Sequence, residues 1–407
     1  MLNRTSCIHE RNELMYNTDE EEEPMKLIHL SDLHLGKRLN EFSLLEDQNF
    51  ILKQILQIID EEQPDAVLIA GDVYDRSLPP EEAVRLFDEF LSGLAERRLQ
   101  TLIISGNHDS AQRIAFGGRL MSPSGIHPAP VYDGKVEPVV LEDEYGPVFF
   151  YMLPFVKPAH VRRCFAAPEQ PEETIETYED AVRVAIAHMG VDPKMRNVIL
   201  CHQFISGATR SESEEISIGG LDEIPAEVLE DFDYAALGHL HRPQNVGSKK
   251  IRYCGTPLKY SFSEADHDKS VTVVELGEKG SLAVRTVPLK PQRDLREIRG
   301  KYDELMFRDS YQGTPTDDYL HVTLTDEEDI PDAISRLRQV YPNIMKLDYD
   351  NTRTRNSGSA DAADDVHRQS PLELIGEFYE KQNGQKMNET QQEYCRGLAE
   401  QIWEVGQ

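Results

Sequence analysis

Five short segments constrain this chain more than any other feature of it: Asp32-Leu33-His34, Gly71-Asp72-Val73-Tyr74-Asp75, Gly106-Asn107-His108-Asp109, Cys201-His202 and Gly238-His239-Leu240-His241. Each stands where a short apolar run ends. Side chains just past the carboxyl ends of neighbouring strands in an α/β sheet converge on one crevice, so residues far apart in sequence can surround one ligand. Singly the segments say little: an Asp-x-His is usually a surface accident, a Gly-Asp a turn, and His202 a hydrogen-bonded core histidine. All five in order, each after an apolar run, predict a single pocket lined by Asp, Asn and His groups.

Carboxylate, carboxamide and imidazole donors suit Mn, Fe or Zn, and a carboxylate can bridge two cations about 3.5–4 Å apart. Such a pair activates water and steadies the charge that builds on a phosphate, which predicts a two-metal phosphoesterase. The glycines before Asp72, Asn107 and His239 permit tight turns and close backbone approach.

From Met25 the apolar pattern reads as βαβαβ: Lys26–Leu30, a helix near 43–62, Ala66–Ala70, a helix near 80–97, and Thr101–Ile104. The first helix places Leu44, Ile51, Leu52, Ile55 and Ile59 on one face, with Ser43 as N-cap, so it covers a sheet. Pro147–Leu153, a helix at 174–189, Asn197–His202, Tyr234–Leu237, Ile251–Cys254, Ser270–Leu276 and Ser281–Val287 follow. Strands outnumber helices there, which predicts two packed sheets. Beyond Pro288–Pro291 the composition shifts, and Leu320–Leu324, a helix at 331–340 and Ile344–Asp348 predict a small separate α/β unit.

The expected fold class is therefore α/β (α+β): a two-sheet sandwich flanked by helices, a small α/β domain and a C-terminal helical hairpin. The chain divides into a disordered extension at 1–24, a main domain at 25–290, the small domain at 291–350, a polar linker at 351–370 and the hairpin at 371–407. The hairpin's apolar faces, Leu372, Leu374, Ile375, Phe378 and Tyr379 in one helix and Tyr394, Leu398, Ile402 and Trp403 in the other, fit a docking element or packing on its own domain.

No stretch approaches the roughly 18–20 apolar residues of a membrane-spanning helix, and no secretory signal precedes Met25. Five cysteines without a CxxC pair fit reduced thiols and a cytoplasmic location, with Cys201 and Cys254 in the core. The net charge of −30 argues against nucleic-acid binding through a broad basic surface, so any DNA must be held by a local site or by a partner.

With those residues in hand, the pattern D-x-H, G-D-x-x-D, G-N-H-D, H and G-H-x-H resembles the calcineurin-like metallophosphoesterases. Within that superfamily, Ser31-Asp-Leu-His-Leu-Gly-Lys37, Gly255-Thr-Pro-Leu-Lys-Tyr-Ser-Phe-Ser-Glu264 and Arg293-Asp-Leu-Arg-Glu-Ile-Arg-Gly300 resemble the SbcD family, nuclease subunits of bacterial SbcCD complexes. The resemblance implies one metal on Asp32, His34 and His241, another on Asn107, His202 and His239, and Asp72 between them. It implies that His108 faces the phosphate as a charge stabiliser or acid, with Asp75 as the carboxylate that orients it.

The resemblance also implies two divalent ions, with Mn expected. It implies a capping domain that guides DNA, and a hairpin docked on an SbcC-type ATPase subunit in a heterotetramer that includes a homodimer of this chain. The expected activities are 3′–5′ double-strand exonuclease and single-strand or hairpin endonuclease, acting in DNA recombination, repair and replication. Ligand histidines must be neutral and carboxylates ionised, so metal should be lost at acid pH. The rival readings are a cyclic-nucleotide phosphodiesterase or phosphoprotein phosphatase with the same site, and a scaffold that has lost its ligands. The extra C-terminal segments speak against the former, and the full ligand set against the latter.

Overall fold

A computed structural model describes residues 23–165, 175–211, 223–357, 375–376, 378–380 and 385–405. The expected extension at 1–24, all but its last two residues, most of the linker at 351–370 and, of the hairpin at 371–407, residues 371–374, 377, 381–384 and 406–407 lie outside them.

Two six-stranded sheets pack face to face. The first has the order Leu282–Pro288, Ser270–Leu276, Met25–Leu30, Ala66–Ala70, Gln100–Ile104, Ile126–Pro128. Its last four strands are parallel, and Ser270–Leu276 runs antiparallel to Met25–Leu30. The second has the order Gln244–Val246, Ser248–Tyr253, Tyr234–Leu237, Arg196–Cys201, Gly146–Leu153, Val139–Asp143, with its middle four strands parallel. The mixed α/β architecture is that read from the sequence.

The period-2 alternation of strands sorts the side chains. Leu27, Leu68 and Leu102 face Phe150, Val198 and Leu200 in the core between the sheets. Ile28, Val67 and Ile69 point the other way, under α1 (Leu45–Glu62) and α2 (Glu81–Glu96). A separate core covers the outer face of the second sheet. Each fully buried Ile or Leu in these layers contributes on the order of 1.5–3 kcal/mol. The apolar stripes of α1 and α2 face this core: Ile51, Leu52, Ile55, Leu86, Phe87 and Phe90 are all buried.

Ser43 is not the N-cap of α1. It ends a two-residue strand, Phe42–Ser43, and the cap position falls on Leu44, which makes no side-chain bond. The first turn instead carries Glu46 and Asp47, acids that complement the helix dipole. The helix expected at 174–189 spans Tyr178–Ala187, where Thr177 and Asp180 form a reciprocal capping box.

Leu295–Gly300, Tyr319–Leu324 and Ile344–Tyr349 form a three-stranded parallel sheet with its own core of Leu320, Val322, Leu337 and Ile344. The helix expected at 331–340 shortens to Ala333–Leu337. Arg293 ties this unit to α1, donating to Asp47 at 2.8 Å and to Glu46 at 2.7 Å, while the Tyr319 hydroxyl donates to Asp47 at 2.7 Å. At the C-terminal end a helix spans Glu389–Val405, with Tyr394 exposed. Among the described residues no helix is long and apolar enough to cross a membrane.

Candidate metal centre

The parallel strands deliver the five segments to one end of the sandwich. Asp32 and His34 follow Met25–Leu30, Asp72 follows Ala66–Ala70, Asn107 and His108 follow Gln100–Ile104, His202 follows Arg196–Cys201, and His239 and His241 follow Tyr234–Leu237. Their loops are bonded to one another: Asp32 N–H donates to Gly71 O and His34 N–H to Asp72 O, each at 2.9 Å, and His239 N–H donates to Asp32 Oδ1 at 2.9 Å. Gly106 and Gly238 are needed for closeness. A Cβ on Gly106 would lie 2.1 Å from Asp72 Oδ1, and one on Gly238 would lie 2.0 Å from the Ala70 carbonyl oxygen.

Asp32, His34, Asp72 and His239 adopt φ of 52°, 43°, 48° and 101°. Non-glycine residues held there cost roughly 1–3 kcal/mol each and persist where the surroundings over-determine them, as they do at functional sites.

Three overlapping donor groups share this pocket. In the first, ligand atoms of Asp32, His34 and His241 lie within 4.8 Å of one another; in the second, those of Asp32, Asp72 and His202 do; in the third, those of His34, Asp72 and His108 do. Asn107 joins the second, its Oδ1 lying 3.1 Å from His202 Nε2 and 3.0 Å from His239 Nδ1. All seven residues expected as ligands therefore meet here, and Asp72 lies near the first two groups, 3.2 Å from His202 Nε2 and 3.8 Å from His34 Nε2.

The chemistry of the donor set fits cations. His202 Nδ1–H donates to the Ala70 carbonyl at 2.7 Å, so in the neutral ring Nε2 is a lone pair. That lone pair faces two acceptor oxygens, Asp72 Oδ2 and Asn107 Oδ1, with no donor between them. Burial would strip a proton from His202, but the carboxylates of Asp72 and Asp32 override it and draw the ring up to about 9, so these oxygens call for positive charge at Nε2, supplied by a second ring proton or by a cation. Burial, aided by the charge of Asp72, pushes the Asp32 carboxyl up as well. His34 is buried, neither ring nitrogen has a hydrogen-bond partner among the described residues, and burial holds it well below the usual histidine range. A pocket of converging lone pairs and buried carboxylates calls for concentrated positive charge, which divalent ions supply.

His108 stands beside the first two groups and shares the third with His34 and Asp72. Its amide donates to Asp72 Oδ1 at 2.9 Å, and its ring centroid lies 4.9 Å from that of His34. Its Nδ1 reaches the main-chain oxygen of Asp75 at 3.3 Å. The Asp75 carboxylate, expected to orient this ring, instead meets Lys37 Nζ at 2.8 Å. The local reason is that Lys37 follows His34 on a loop folded against residues 72–75, and its ammonium is the stronger attraction. The Arg76 side chain is exposed.

Sequence reasoning gave no role to Asp109, Glu264 or Lys269. Asp109 accepts the amides of Val73, Tyr74 and Gly106 at 3.0, 2.9 and 2.9 Å, stapling two site loops together; burial and the charge of Asp72 push it up to about 6. Its position three residues after Gly106 was the available signal. Glu264 accepts from His241 Nδ1–H at 2.9 Å.

Beside His241 a cavity of about 990 Å³ opens on the seam with the small domain, lined among others by Arg210, Arg242, Phe262, His321 and Lys346. Asp266 and Glu297 line it too, and Lys346 Nζ lies 2.8 Å from Asp348 Oδ2, so its cations stand among acids.

A family model described as calcineurin-like phosphoesterase matches residues 25–243, and one described as type 5 capsule protein repressor C-terminal domain matches 291–383. Two curated relatives, each named as the SbcD subunit of the SbcCD nuclease, cover most of the chain. That of Staphylococcus epidermidis is 32% identical over 92% of this chain and 98% of its own length. That of Staphylococcus saprophyticus is 31% identical over 94% and 100%. A solved dimetal phosphatase from Danio rerio aligns with 65% of this chain and 96% of its own at 10% identity and a TM-score of 0.35, a likeness too loose to carry an argument.

Proposed function

Because the chain belongs to the calcineurin-like phosphoesterases and, within them, to the SbcD nuclease subunits, hydrolases of phosphodiester bonds, we propose that it is a Mn-dependent DNA nuclease of an SbcCD-type complex. Its activities on this reading are 3′–5′ exonuclease on duplex ends and endonuclease on single strands and hairpins, in recombination and repair in the cytoplasm. The observation that carries the reading is the meeting of two lone-pair clusters around buried Asp72.

Asp32, His34 and His241 would hold one ion, Asn107, His202 and His239 the other, and Asp72 both. Two divalent ions there would polarise the phosphate oxygens and make water a nucleophile at neutral pH. Phosphoryl chemistry asks the protein chiefly for positioning and charge stabilisation. His108 serves both ends: with Nδ1–H directed at the Asp75 carbonyl, Nε2 is left to face the phosphate and, when protonated, to give its proton to the leaving oxygen. The seam cavity, through Arg242 and Lys346, takes the strand's phosphates on its way to the site, with residues 291–350 acting as the cap over residues 25–290.

The partner on this reading is an SbcC-type ATPase in a heterotetramer, engaged by the C-terminal helical segment. Tyr394, Gly397 and Leu398 of Glu389–Val405 line a shallow cavity of about 530 Å³, a surface suited to such docking.

The test is degradation of end-labelled duplex DNA by the purified protein in Mn²⁺, with and without an SbcC-type ATPase, alongside cyclic nucleotides. Cleavage of DNA supports the nuclease reading; hydrolysis of cyclic nucleotides with no cutting of DNA under any condition would replace it.

A further inference from the structure

The imidazoles of the two clusters are backed differently. His241 Nδ1–H donates to Glu264 Oε1 at 2.9 Å, and the Glu264 carboxylate is wholly buried. Lys269 Nζ spends its protons on Glu264 Oε2 at 2.7 Å, Thr256 Oγ1 at 2.6 Å and the His241 carbonyl at 2.9 Å, which fixes both the carboxylate and the backbone of the histidine it serves. With Glu264 ionised, the proton of His241 sits on Nδ1 and the Nε2 lone pair faces Asp32 and His34. His202, by contrast, is backed by the neutral carbonyl of Ala70.

A carboxylate behind a ligating imidazole fixes its tautomer and raises its basicity, and such outer partners typically matter 10–100-fold in metal affinity. Asp32 lies within reach of both clusters, and what the second adds is the neutral amide of Asn107. We infer that Glu264, held in place by Lys269, is a positioning residue for His241 that makes the Asp32–His34–His241 cation position the tighter-binding of the two. The inference rests on the two-cation reading above.

Stepwise Mn²⁺ titration of chelator-treated protein, by calorimetry with free Mn²⁺ counted by electron paramagnetic resonance, tests it. The wild type should bind two ions in a tight and a weaker step. Glu264→Gln should loosen the tight step by roughly 10–100-fold and leave the weaker one unchanged. Asn107→Ala should do the reverse. Because Glu264→Gln strands the buried Lys269 charge, the double variant Glu264→Gln/Lys269→Met removes both charges; its thermal midpoint should return towards that of the wild type while the tight step stays loosened. A double variant that melts like the wild type and keeps the wild-type tight step overturns the inference, as does equal loosening of both steps or Asn107→Ala loosening the tighter one. A wild type that takes up fewer than two ions overturns the two-cation reading itself, and the inference with it.

Discussion

The Asp75 carboxylate lies 2.8 Å from Lys37 Nζ, while its main-chain oxygen is the atom that meets His108. Asp75→Asn therefore removes a cation's partner and leaves the His108 interaction in place. Cleavage of labelled DNA by Asp75→Asn should fall far less than by His108→Ala, for which a loss of about 10²–10⁴-fold in kcat is expected with Mn²⁺ affinity retained. Single-turnover rates and metal titrations on the two variants check this; equal losses would return the orienting role to the carboxylate.

The closeness of Gly106 to Asp72 sets a second expectation. Gly106→Ala puts a methyl 2.1 Å from Asp72 Oδ1, so the carboxylate shared by both clusters must move. Metal analysis should find fewer than two ions per chain in a variant whose far-ultraviolet circular dichroism is that of the wild type, since the glycine sits in a loop and not in a strand.

Arg242 and Lys346 flank the seam cavity. Replacing both by Gln should weaken binding of duplex DNA and lower the slope of log affinity against log salt by about one for each phosphate no longer neutralised. Hydrolysis of bis-p-nitrophenyl phosphate, too small to reach the seam, should be unchanged. An unaltered slope would remove the cavity from the strand's path.

Acid stability has an address away from the site. Asp143 accepts from both terminal guanidinium nitrogens of Arg196, with Nη1 at 2.9 Å, and from the amides of Tyr145 at 2.9 Å and Met25 at 3.1 Å. Burial works to raise its carboxyl, and these donors, Arg196 above all, overcome it and hold it below the ordinary range. A depressed carboxylate contributes stability above its unfolded value of about 3.9 and loses it as pH falls through the lower folded value. Asp143→Asn should cost about 1.5–3 kcal/mol at neutral pH. The gap in Tm from wild type should hold from pH 8 to 5 and close below about pH 4.

The ligand-bearing strands were legible because apolar runs such as Ala66–Ala70 and Tyr234–Leu237 end abruptly in a turn that carries Asp, Asn or His. The left-handed backbone at Asp32, His34, Asp72 and His239 was not: Asp and His enter it more readily than most residues, but that leaning marks no particular position, and the hydrogen bonds between loops fix it here. Glu264 and Lys269 stayed hidden for a related reason: what they do is decided by His241, which reaches them only in the folded chain. Ser43 misled because cap preference weighs less than the short strand pairing that claims the residue.

The register that joins Met25 to Leu276 has a consequence for how the chain is made. Met25–Leu30 leaves the ribosome early and can pair with Ala66–Ala70 soon after, yet its other edge stays open until Ser270–Leu276 has been translated. Such a non-local pairing is slow to form, and an uncovered edge can recruit the wrong strand meanwhile. Truncations ending before residue 270 should thus aggregate rather than yield a smaller working enzyme, and the supply of native protein should depend on translation speed and on chaperones that shield the waiting edge.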